Sequence, residues 1–307
     1  MKRVFVTGAT GFIGSYLVRT LLGTGVEVAI LVRPASDLWR VSDIRERLRA
    51  IQWDGVAVDS FAAAYREFDP DTVFHLGWSG VRNTYRNEFA HVTKNIDFTV
   101  ALTQLAVACG TECLVGAGSQ AEYGPVNHKI DELVLARPTT LYGAAKLSAG
   151  ILTERIASLG GLRHIWVRVF STYGAKDNSG WMIPSIIAKL RSGERPALTA
   201  GEQLWDYLHV CDAAEAFVAV ATSGAAGVFN LGSGVACPLK DVILKIRDMI
   251  NKSVPLGFGE IPYRDDQVMC LLADVTKLKS ATGWQPKIEL DAGLRMLIDG
   301  LSEGSRQ

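Results

Sequence analysis

Hydrophobic and polar positions alternate along the first half of the chain in blocks that predict strands and helices in turn. Short, nearly continuous apolar runs are typical of strands buried on both faces of a parallel sheet. Such runs occur at 4–6, 26–32, 72–76, 114–117 and 165–169, and a shorter strand is predicted at 55–58. Helices are predicted at 12–22, 88–109 and 142–158, with a polar helical region around 43–49.

This alternation predicts an α/β fold, a doubly wound parallel sheet of the Rossmann type with a smaller C-terminal substrate-binding region. The rhythm breaks from about Asn178, where prolines and loop-rich stretches begin. We therefore expect a dinucleotide-binding domain over 1–175 and a substrate-binding region mainly over 176–307. Segment 205–225, a strand at 207–210 and its following helix, is expected to return to the main sheet.

Composition and charge narrow the class of protein. The 32 basic residues cancel the 32 acidic ones, so no global field favours nucleic acid or an anionic membrane surface. The five cysteines are odd in number and form no C-x-x-C pair, which favours free thiols in a reducing compartment, here the cytoplasm. No stretch approaches the roughly eighteen apolar residues of a membrane span. The five histidines show no ligand spacing, and we expect no metal.

The segment TGATGFIG at 7–14 directly follows the first predicted strand and opens the first helix. A strand, a glycine turn and a helix in this order are typical of dinucleotide binding, with the pyrophosphate at the helix N-terminus. One glycine allows the tight turn, the next lets backbone approach the pyrophosphate, and the last lets helix and strand pack closely. The candidate cofactor-binding residues here are Gly8, Thr10, Gly11, Phe12, Ile13 and Gly14.

The end of the second strand bears on which dinucleotide binds. An acid about 20 residues beyond the glycines holds a free ribose 2′-hydroxyl, whereas an arginine accommodates a 2′-phosphate. Here the strand ends in Arg33, Ser36 can add a hydroxyl, and no acid is present until Asp37. The sequence therefore favours NADP(H) and leaves NAD(H) open. Asp59 is a candidate acceptor for the adenine amino group, or an ordinary solvated acid.

Candidate chemistry lies at Ser119, Tyr142 and Lys146. Tyr142 and Lys146 are four residues apart on one predicted helix, so both project from the same face. An ammonium beside a phenol favours the phenolate, so we expect a lowered pKa for Tyr142 and a role as acid and base. Ser119 follows a strand end, where ligands of such sheets bind, and can donate a hydrogen bond to a substrate carbonyl oxygen.

Together these segments resemble the extended short-chain dehydrogenase/reductase family. The resemblance rests on TGATGFIG at 7–14, HLGW at 75–78, GSQAEYG at 118–124, YGAAK at 142–146, RVFSTYG at 168–174, DYLHVCDAA at 206–214, NLGSG at 230–234, Arg264 and ADVTKLKSATGWQP at 273–286. It covers nearly the whole chain. It implies a nucleotide-sugar enzyme that binds its dinucleotide in the N-terminal half, and a homodimer formed through two long helices.

The resemblance also implies further site residues. On the cofactor side these are Leu76, Gly77, Asn95 (which would help position Lys146) and Phe170. On the substrate side they are Trp78, Ser79, Gln120, Ser171, Trp205 and Arg264. Two positions depart from the family pattern, because Trp205 stands where an arginine is frequent and Ser171 where an asparagine is usual. Arg264 would then carry much of the contact with the diphosphate.

Local differences within the family select the reaction. Sugar-nucleotide 4,6-dehydratases have Thr-Asp-Glu where this chain has Ser119, Gln120 and Ala121, and the 3,5-epimerase/reductase type needs a cysteine at Ala121. These differences disfavour both the 4,6-dehydratase and the 3,5-epimerase/reductase, and they leave hydride transfer at one carbon. Glu122 is a further acid in this segment, expected to point away and pair locally.

The arginine at the end of the second strand favours NADPH-dependent reduction of the 4-keto group of a nucleoside-diphosphate 4-keto-6-deoxyhexose, in deoxysugar biosynthesis. The alternative is a nucleotide-sugar 4-epimerase. A non-catalytic NADP(H)-binding sensor or scaffold is the alternative of another class. It is disfavoured because such proteins typically lose the tyrosine or the lysine, and this chain retains both.

Overall fold

The computed structural model describes residues 1–81, 85–264 and 267–304, with side chains up to residue 300. In chain order the strands are β1 (Arg3–Thr7), β2 (Glu27–Val32), β3 (Arg49–Gln52), β4 (Thr72–His75), β5 (Cys113–Ser119), β6 (Arg163–Val169), β7 (Ser171–Tyr173), β8 (Leu204–His209), β9 (Gly227–Leu231), β10 (Ala236–Pro238) and β11 (Cys270–Leu271). The helices are α1 (Phe12–Gly23), α2 (Asp59–Phe68), α3 (Phe89–Ala108), α4 (Leu141–Gly160), α5 (Met182–Arg191), α6 (Val210–Thr222), α7 (Leu239–Ile250), α8 (Thr276–Thr282) and α9 (Leu290–Gly304). Short 3₁₀ helices cover Trp39–Arg47 and Gln120–Glu122.

The main sheet has seven parallel strands in the order β3-β2-β1-β4-β5-β6-β9. From β1 the chain proceeds outward to β3 and then crosses back to β4, so the winding direction reverses between β1 and β4. A crevice opens at such a reversal, outside the carboxyl ends of the strands, and ligands bind there. The predicted doubly wound parallel sheet is confirmed.

Helices cover both faces of this sheet. On one face, Leu17 of α1 and Phe217 of α6 belong to a fully buried cluster with Val6 of the sheet. On the other, Tyr65 of α2 and Leu102 of α3 pack in a second cluster. Because both faces are covered, the strands can be apolar on both sides, which explains their continuous hydrophobic runs. None of the helices in the described residues is both long and apolar enough to cross a membrane.

A smaller sheet is built around β8, which pairs with β7 and β11 in parallel and with β10 antiparallel. Helices α5, α7 and α9 pack together beside it, with Ile186, Ile243 and Leu294 buried in their shared cluster. The expected return of segment 205–225 to the main sheet is therefore half wrong. Strand β8 stays in the small sheet, whereas α6 packs against α1 and β9 then completes the main sheet.

The strand expected at 55–58 is also wrong. The third strand is β3, and Asp54 instead accepts hydrogen bonds from the backbone N–H groups of Val56 and Ala57, at 2.8 and 3.1 Å. An aspartate that bonds the backbone two residues ahead stabilises a turn rather than a strand. The polar helical region is a 3₁₀ helix that ends at Arg47, and α2 follows the turn.

Candidate active site

The glycine turn follows β1 and touches the end of β4. Gly8 has φ +73°, and a Cβ there would lie 2.6 Å from the backbone nitrogen of Gly77. A Cβ on Gly14 would overlap the carbonyl oxygen of Gly8, so helix α1 meets the turn through bare backbone. The tight turn and the close helix–strand packing expected of these two glycines match this geometry.

The N-terminus of α1 is open toward the turn. Gly11 is the N-cap, no side chain caps the helix, and its first turn carries no acidic residue. Gly11 itself has little room, because a Cβ there would lie 3.1 Å from the carbonyl oxygen of Gly8. First-turn N–H groups and the helix dipole together favour an anion at such an end. The residues present therefore fit a dinucleotide pyrophosphate.

A buried chain of hydrogen bonds ties this turn to the end of β4. The Thr7 hydroxyl lies 2.7 Å from Nδ1 of His75 and accepts from the Gly77 N–H at 3.1 Å, and Nε2 of His75 lies 2.9 Å from the Thr99 hydroxyl. Burial and the nearby charge of Lys146 lower the pKa of His75 to about 3. His75 is thus a neutral structural residue that holds Leu76 and Gly77 beside the glycine turn.

The three candidate catalytic residues come from two neighbouring elements. Ser119 is the last residue of β5, and Tyr142 and Lys146 lie in the first turns of α4. The Ser119 side chain lies close enough to the Tyr142 phenol to lower its pKa. Helix α4 begins sharply because the Thr140 hydroxyl accepts from the Gly143 N–H at 3.1 Å, which fixes the start of the helix that carries both residues.

Lys146 points at the strand below and at an indole ring. Its Nζ donates to the Ala117 carbonyl at 2.6 Å and lies 3.7 Å from the centroid of the Trp78 ring. Burial lowers the pKa of Lys146 to about 7, against the charge of Glu122. Trp78 also meets the Tyr142 ring edge-on at 6.4 Å between centroids. Trp78 therefore shares one cluster with the predicted catalytic residues.

The expected lowering of the Tyr142 pKa by Lys146 is wrong for this structure. Burial raises the pKa of Tyr142, and the Ser119 hydrogen bond and the charge of Arg86 only partly oppose that rise. The Lys146 ammonium is directed at Ala117, and burial also makes its charged form costly. The cation that acts on the phenol is Arg86, a residue that the sequence pattern did not single out.

Glu122 is fully buried beneath the site and pairs locally, as expected. One carboxylate oxygen accepts from the Ser119 N–H at 2.8 Å and from Nε1 of Trp166 at 3.0 Å. The other accepts from Nε of Arg168 at 2.7 Å. With its oxygens so engaged, Glu122 anchors the backbone of Ser119. Gln120, half-buried, begins the 3₁₀ helix between them.

Asn95, expected to help position Lys146, forms its side-chain hydrogen bonds with Ser79. Its amide oxygen accepts from the N–H of Ser79 at 2.9 Å and from the Ser79 hydroxyl at 3.1 Å, and its amide nitrogen donates to the Ser79 carbonyl at 2.9 Å. Asn95 thus holds the loop after β4, next to Trp78, whereas Lys146 is held by Ala117.

The residues expected near the adenosine half follow the carboxyl ends of β2 and β3. Arg33 is exposed, and its N–H donates to the Ser36 hydroxyl at 2.9 Å in a tight turn. Asp59 is exposed at the first position of α2. Sequence reasoning missed Arg40, whose guanidinium bonds the carbonyls of Thr10 and Lys176, at 3.4 and 2.8 Å. No spacing signal marks Arg40, because it lies in a 3₁₀ helix.

The substrate-side residues are spread over several elements. Phe170 is buried, and its N–H donates to the Leu231 carbonyl at 2.9 Å. Ser171 opens β7 opposite Tyr207, and Trp205 on β8 is half-buried against the apolar cluster that contains Phe170. Arg264 is exposed in a loop. Their roles toward a substrate stay predictions. Among the described residues, no group of three or more His, Cys, Asp or Glu is placed to hold a metal ion.

Comparison with known proteins places this geometry in a family. The UDP-glucose 4-epimerase of Neisseria meningitidis serogroup A is 28% identical over 326 residues, which cover 94% of this chain and 94% of that protein. The dTDP-glucose 4,6-dehydratase of Streptomyces griseus is 28% identical over 308 residues, covering 96% and 92%. A solved structure of MoeE5 in complex with UDP-glucuronic acid and NAD aligns with a TM-score of 0.84 at 29% identity, covering 98% of this chain and 99% of that one.

All three matches extend over nearly the full length of this chain. The decisive match is to a family model that spans residues 4–232, about three quarters of the chain. The chain belongs to the NAD dependent epimerase/dehydratase family, within the extended short-chain dehydrogenase/reductase group that its motifs resemble.

Proposed function

We propose that this protein is a nicotinamide-dependent nucleotide-sugar 4-epimerase, which oxidises and then re-reduces one carbon of the sugar. The names of its relatives support this alternative better than the 4-ketoreductase that the sequence favoured. The reaction needs one acid and base at the reacting carbon and no net consumption of cofactor.

The observation that carries the proposal is the state of Glu122. A 4,6-dehydratase needs an additional acid and base beside the tyrosine, and in segment 118–124 Glu122 is the one residue with a carboxylate. That carboxylate is buried, and it accepts hydrogen bonds from Ser119, Trp166 and Arg168. The segment therefore offers no free acid and base for the elimination of water, although one relative is a dehydratase. Hydride chemistry at a single carbon needs only Ser119 and Tyr142.

In this proposal Tyr142, as the phenolate, takes the proton from the sugar hydroxyl while its carbon is oxidised to a ketone. Ser119 donates a hydrogen bond to that oxygen and keeps it oriented. The keto sugar then rotates within the site so that its other face is reduced. Tyr142 returns the proton as the alcohol re-forms with the opposite configuration. A nicotinamide dinucleotide, when bound, would supply the hydride acceptor and donor for these two half-reactions. The first turn of α1, Arg33 and Ser36 would hold it.

A second candidate, the NADPH-dependent ketoreductase, is favoured by one observation. Arg33 directly follows β2 with an exposed side chain, and no acid is present before Asp37, which suits a ribose 2′-phosphate. The raised pKa of Tyr142 also keeps the phenol protonated near neutrality, ready to donate to a keto oxygen. The two candidates use the same residues and differ in whether cofactor is consumed.

One experiment separates them. Purified protein is mixed with NAD⁺, NADH or NADPH and a panel of nucleotide sugars, saturated and 4-keto, while nicotinamide absorbance and sugar products are followed. Interconversion of 4-epimers without net loss of reduced cofactor supports the epimerase, whereas stoichiometric loss of NADPH with a 4-keto sugar supports the ketoreductase.

Replacing Tyr142 by Phe should lower turnover by roughly 10²–10⁴-fold, the usual contribution of general acid–base catalysis, with cofactor affinity unchanged. Turnover in this variant at the rate of the parent protein would rule out both mechanisms and leave the non-catalytic binding role.

We also propose that the protein is a homodimer that associates through α3 and α4. The outward side of α4 carries large exposed apolar side chains, which agrees with the implication of the family resemblance.

A further inference from the structure

The segment around Arg86 is attached to the first turn of the helix that carries Tyr142. The carbonyl of Arg86 accepts from the Tyr142 N–H at 2.8 Å, and Oδ1 of Asn87 accepts from the Leu141 N–H at 3.1 Å. These two bonds satisfy N–H groups that a helix start otherwise leaves unpaired. They also fix where the Arg86 side chain begins, independently of its charge.

The Arg86 guanidinium lies over the ring of Tyr142. The guanidinium carbon is 5.4 Å from the ring centroid, within the range of a cation–π contact. Its Nε is buried and has no hydrogen-bond partner among the residues that the structure describes. A buried donor without an acceptor is costly and calls for an explanation in the chemistry of the site.

None of the other charged and polar groups that the structure describes around the phenol supplies a positive charge directed at it. Glu122 opposes ionisation of Tyr142, but its carboxylate is paired with Arg168. Ser119 supplies a hydrogen bond without charge, and the Lys146 ammonium is turned to Ala117 and the Trp78 ring. Arg86 is therefore the cation that faces the phenol from the neighbouring segment.

We propose that Arg86 is a positioning residue that stabilises the Tyr142 phenolate electrostatically, which is the task that the family pattern gives to the lysine. This inference rests on the proposed role of Tyr142 as acid and base. An arginine suits it because its charge persists at every pH at which the enzyme works, whereas burial brings the pKa of Lys146 close to neutrality.

The test compares Arg86→Gln, Arg86→Lys and Arg66→Gln. Arg66 is exposed on α2 and serves as a matched loss of one positive charge. The variants at position 86 keep the backbone carbonyl that caps α4. In Arg86→Gln we expect the apparent pKa for turnover to rise by about one unit, the lower end of the effect of an adjacent charge, with a roughly tenfold loss of kcat at neutral pH and little change in KM. Arg86→Lys should restore most of this, and Arg66→Gln should match the parent.

A second readout does not need turnover. Ultraviolet absorbance of the phenolate is titrated in the parent and in Tyr142→Phe, and their difference isolates Tyr142; the same pair is then measured with Arg86→Gln added. If the Tyr142 titration and the pH profile are unchanged by Arg86→Gln, the inference is overturned. If Tyr142→Phe still turns over, the proposed function fails, while the titration still decides the effect of Arg86. Should Arg86→Gln not fold, Arg86→Met takes its place in both measurements.

Discussion

At the residue scale, the ion pair of Glu122 and Arg168 lies buried next to Ser119, where both charges lose their hydration. Both side chains are almost fully buried, and two buried charges repay their desolvation only when the geometry and the additional hydrogen bonds are good. Here Glu122 has three donors, Ser119, Trp166 and Arg168, at hydrogen-bonding distance. Removing one partner leaves the other charge uncompensated in the interior.

We predict that Glu122→Gln lowers the free energy of unfolding by about 3–5 kcal/mol, because Arg168 loses its counter-charge. Urea unfolding measures this. The double variant Glu122→Gln/Arg168→Gln should be less destabilised than the sum of the two single variants, since it buries no unpaired charge. Strict additivity would show that the two residues contribute independently and that the pair is not coupled.

The sequence predicts the candidate catalytic residues but not how their side chains are oriented. Ser119 was found because it follows a strand end, and Tyr142 and Lys146 because they are four residues apart on a helix. The direction of Lys146 depends on Ala117 and Trp78, which approach it only in the folded chain. Arg86 is 56 residues from Tyr142 in sequence, and no periodicity links such a pair.

At the element scale, the junction of β1 and α1 depends on the absence of a side chain at Gly14. A Cβ there would overlap the Gly8 carbonyl, and that backbone has no room to shift. We predict that Gly14→Ala costs about 1–3 kcal/mol of stability through overpacking and weakens dinucleotide binding, measured by urea unfolding and by cofactor titration. Gly23→Ala, at the end of the same helix and facing open space, is the control and should be neutral or stabilising by about 0.5–1 kcal/mol. Equal effects of the two substitutions would contradict the packing argument.

The segment 175–178 contacts α1 and contains a titratable residue, Asp177. The hydroxyl of Tyr16 donates to the Ala175 carbonyl at 2.9 Å, and Arg40 bonds both Lys176 and Asn178. Burial raises the pKa of Asp177 from 3.8 to about 6, although the Asn178 N–H and the charge of Arg40 oppose the rise.

Because the folded state then holds the Asp177 proton more tightly than the unfolded state, the free energy of unfolding should fall as pH rises from about 4 to about 6. We predict that Asp177→Asn removes this component, so that the variant gains ~1–3 kcal/mol relative to the parent between these two pH values. Urea unfolding across this range measures the difference. A difference that is independent of pH would mean that Asp177 ionises in the folded state as freely as in the unfolded chain.

The elements that the sequence misplaced share a physical cause. Strand β3 is only four residues long with one buried side chain, so it carries no hydrophobic run to detect. Strand β8 is buried mainly in its C-terminal half, and nothing in its own sequence indicates which sheet it joins. That choice is made by β7, β10 and β11, short strands from distant parts of the chain.

At the scale of the whole molecule, the long inner strands and their parallel pairing follow from local patterns, because each strand–helix–strand unit is connected with the same handedness. The smaller sheet does not, since its four strands include pieces of two and three residues brought together from 171 to 271. The fold class was therefore predictable, whereas the surface that would select a sugar depends on contacts between remote segments.

Helix α4 buries small side chains and exposes large apolar ones, the reverse of the usual arrangement, and this bears on assembly. Its inward side carries small buried residues four apart, Ala145, Ala149, Thr153 and Ala157. Its outward side carries Ile151, Leu152 and Leu159, which are 59%, 44% and 73% exposed. A helix on the surface of a monomer normally places its large apolar residues inward, and a helix that exposes them marks an interaction site.

We therefore predict that the protein is a dimer whose interface includes the outward side of α4, and that Ile151→Glu converts it to a monomer by burying a charge that no partner neutralises. Sedimentation velocity across a concentration series measures the assembly state. Met296→Glu, on α9 and 51% exposed, introduces the same charge at a comparably exposed apolar position and should leave the dimer intact. A monomeric parent protein, or a dimer that survives Ile151→Glu, would show that these side chains face solvent. If Met296→Glu instead dissociates the dimer, the interface lies on α9.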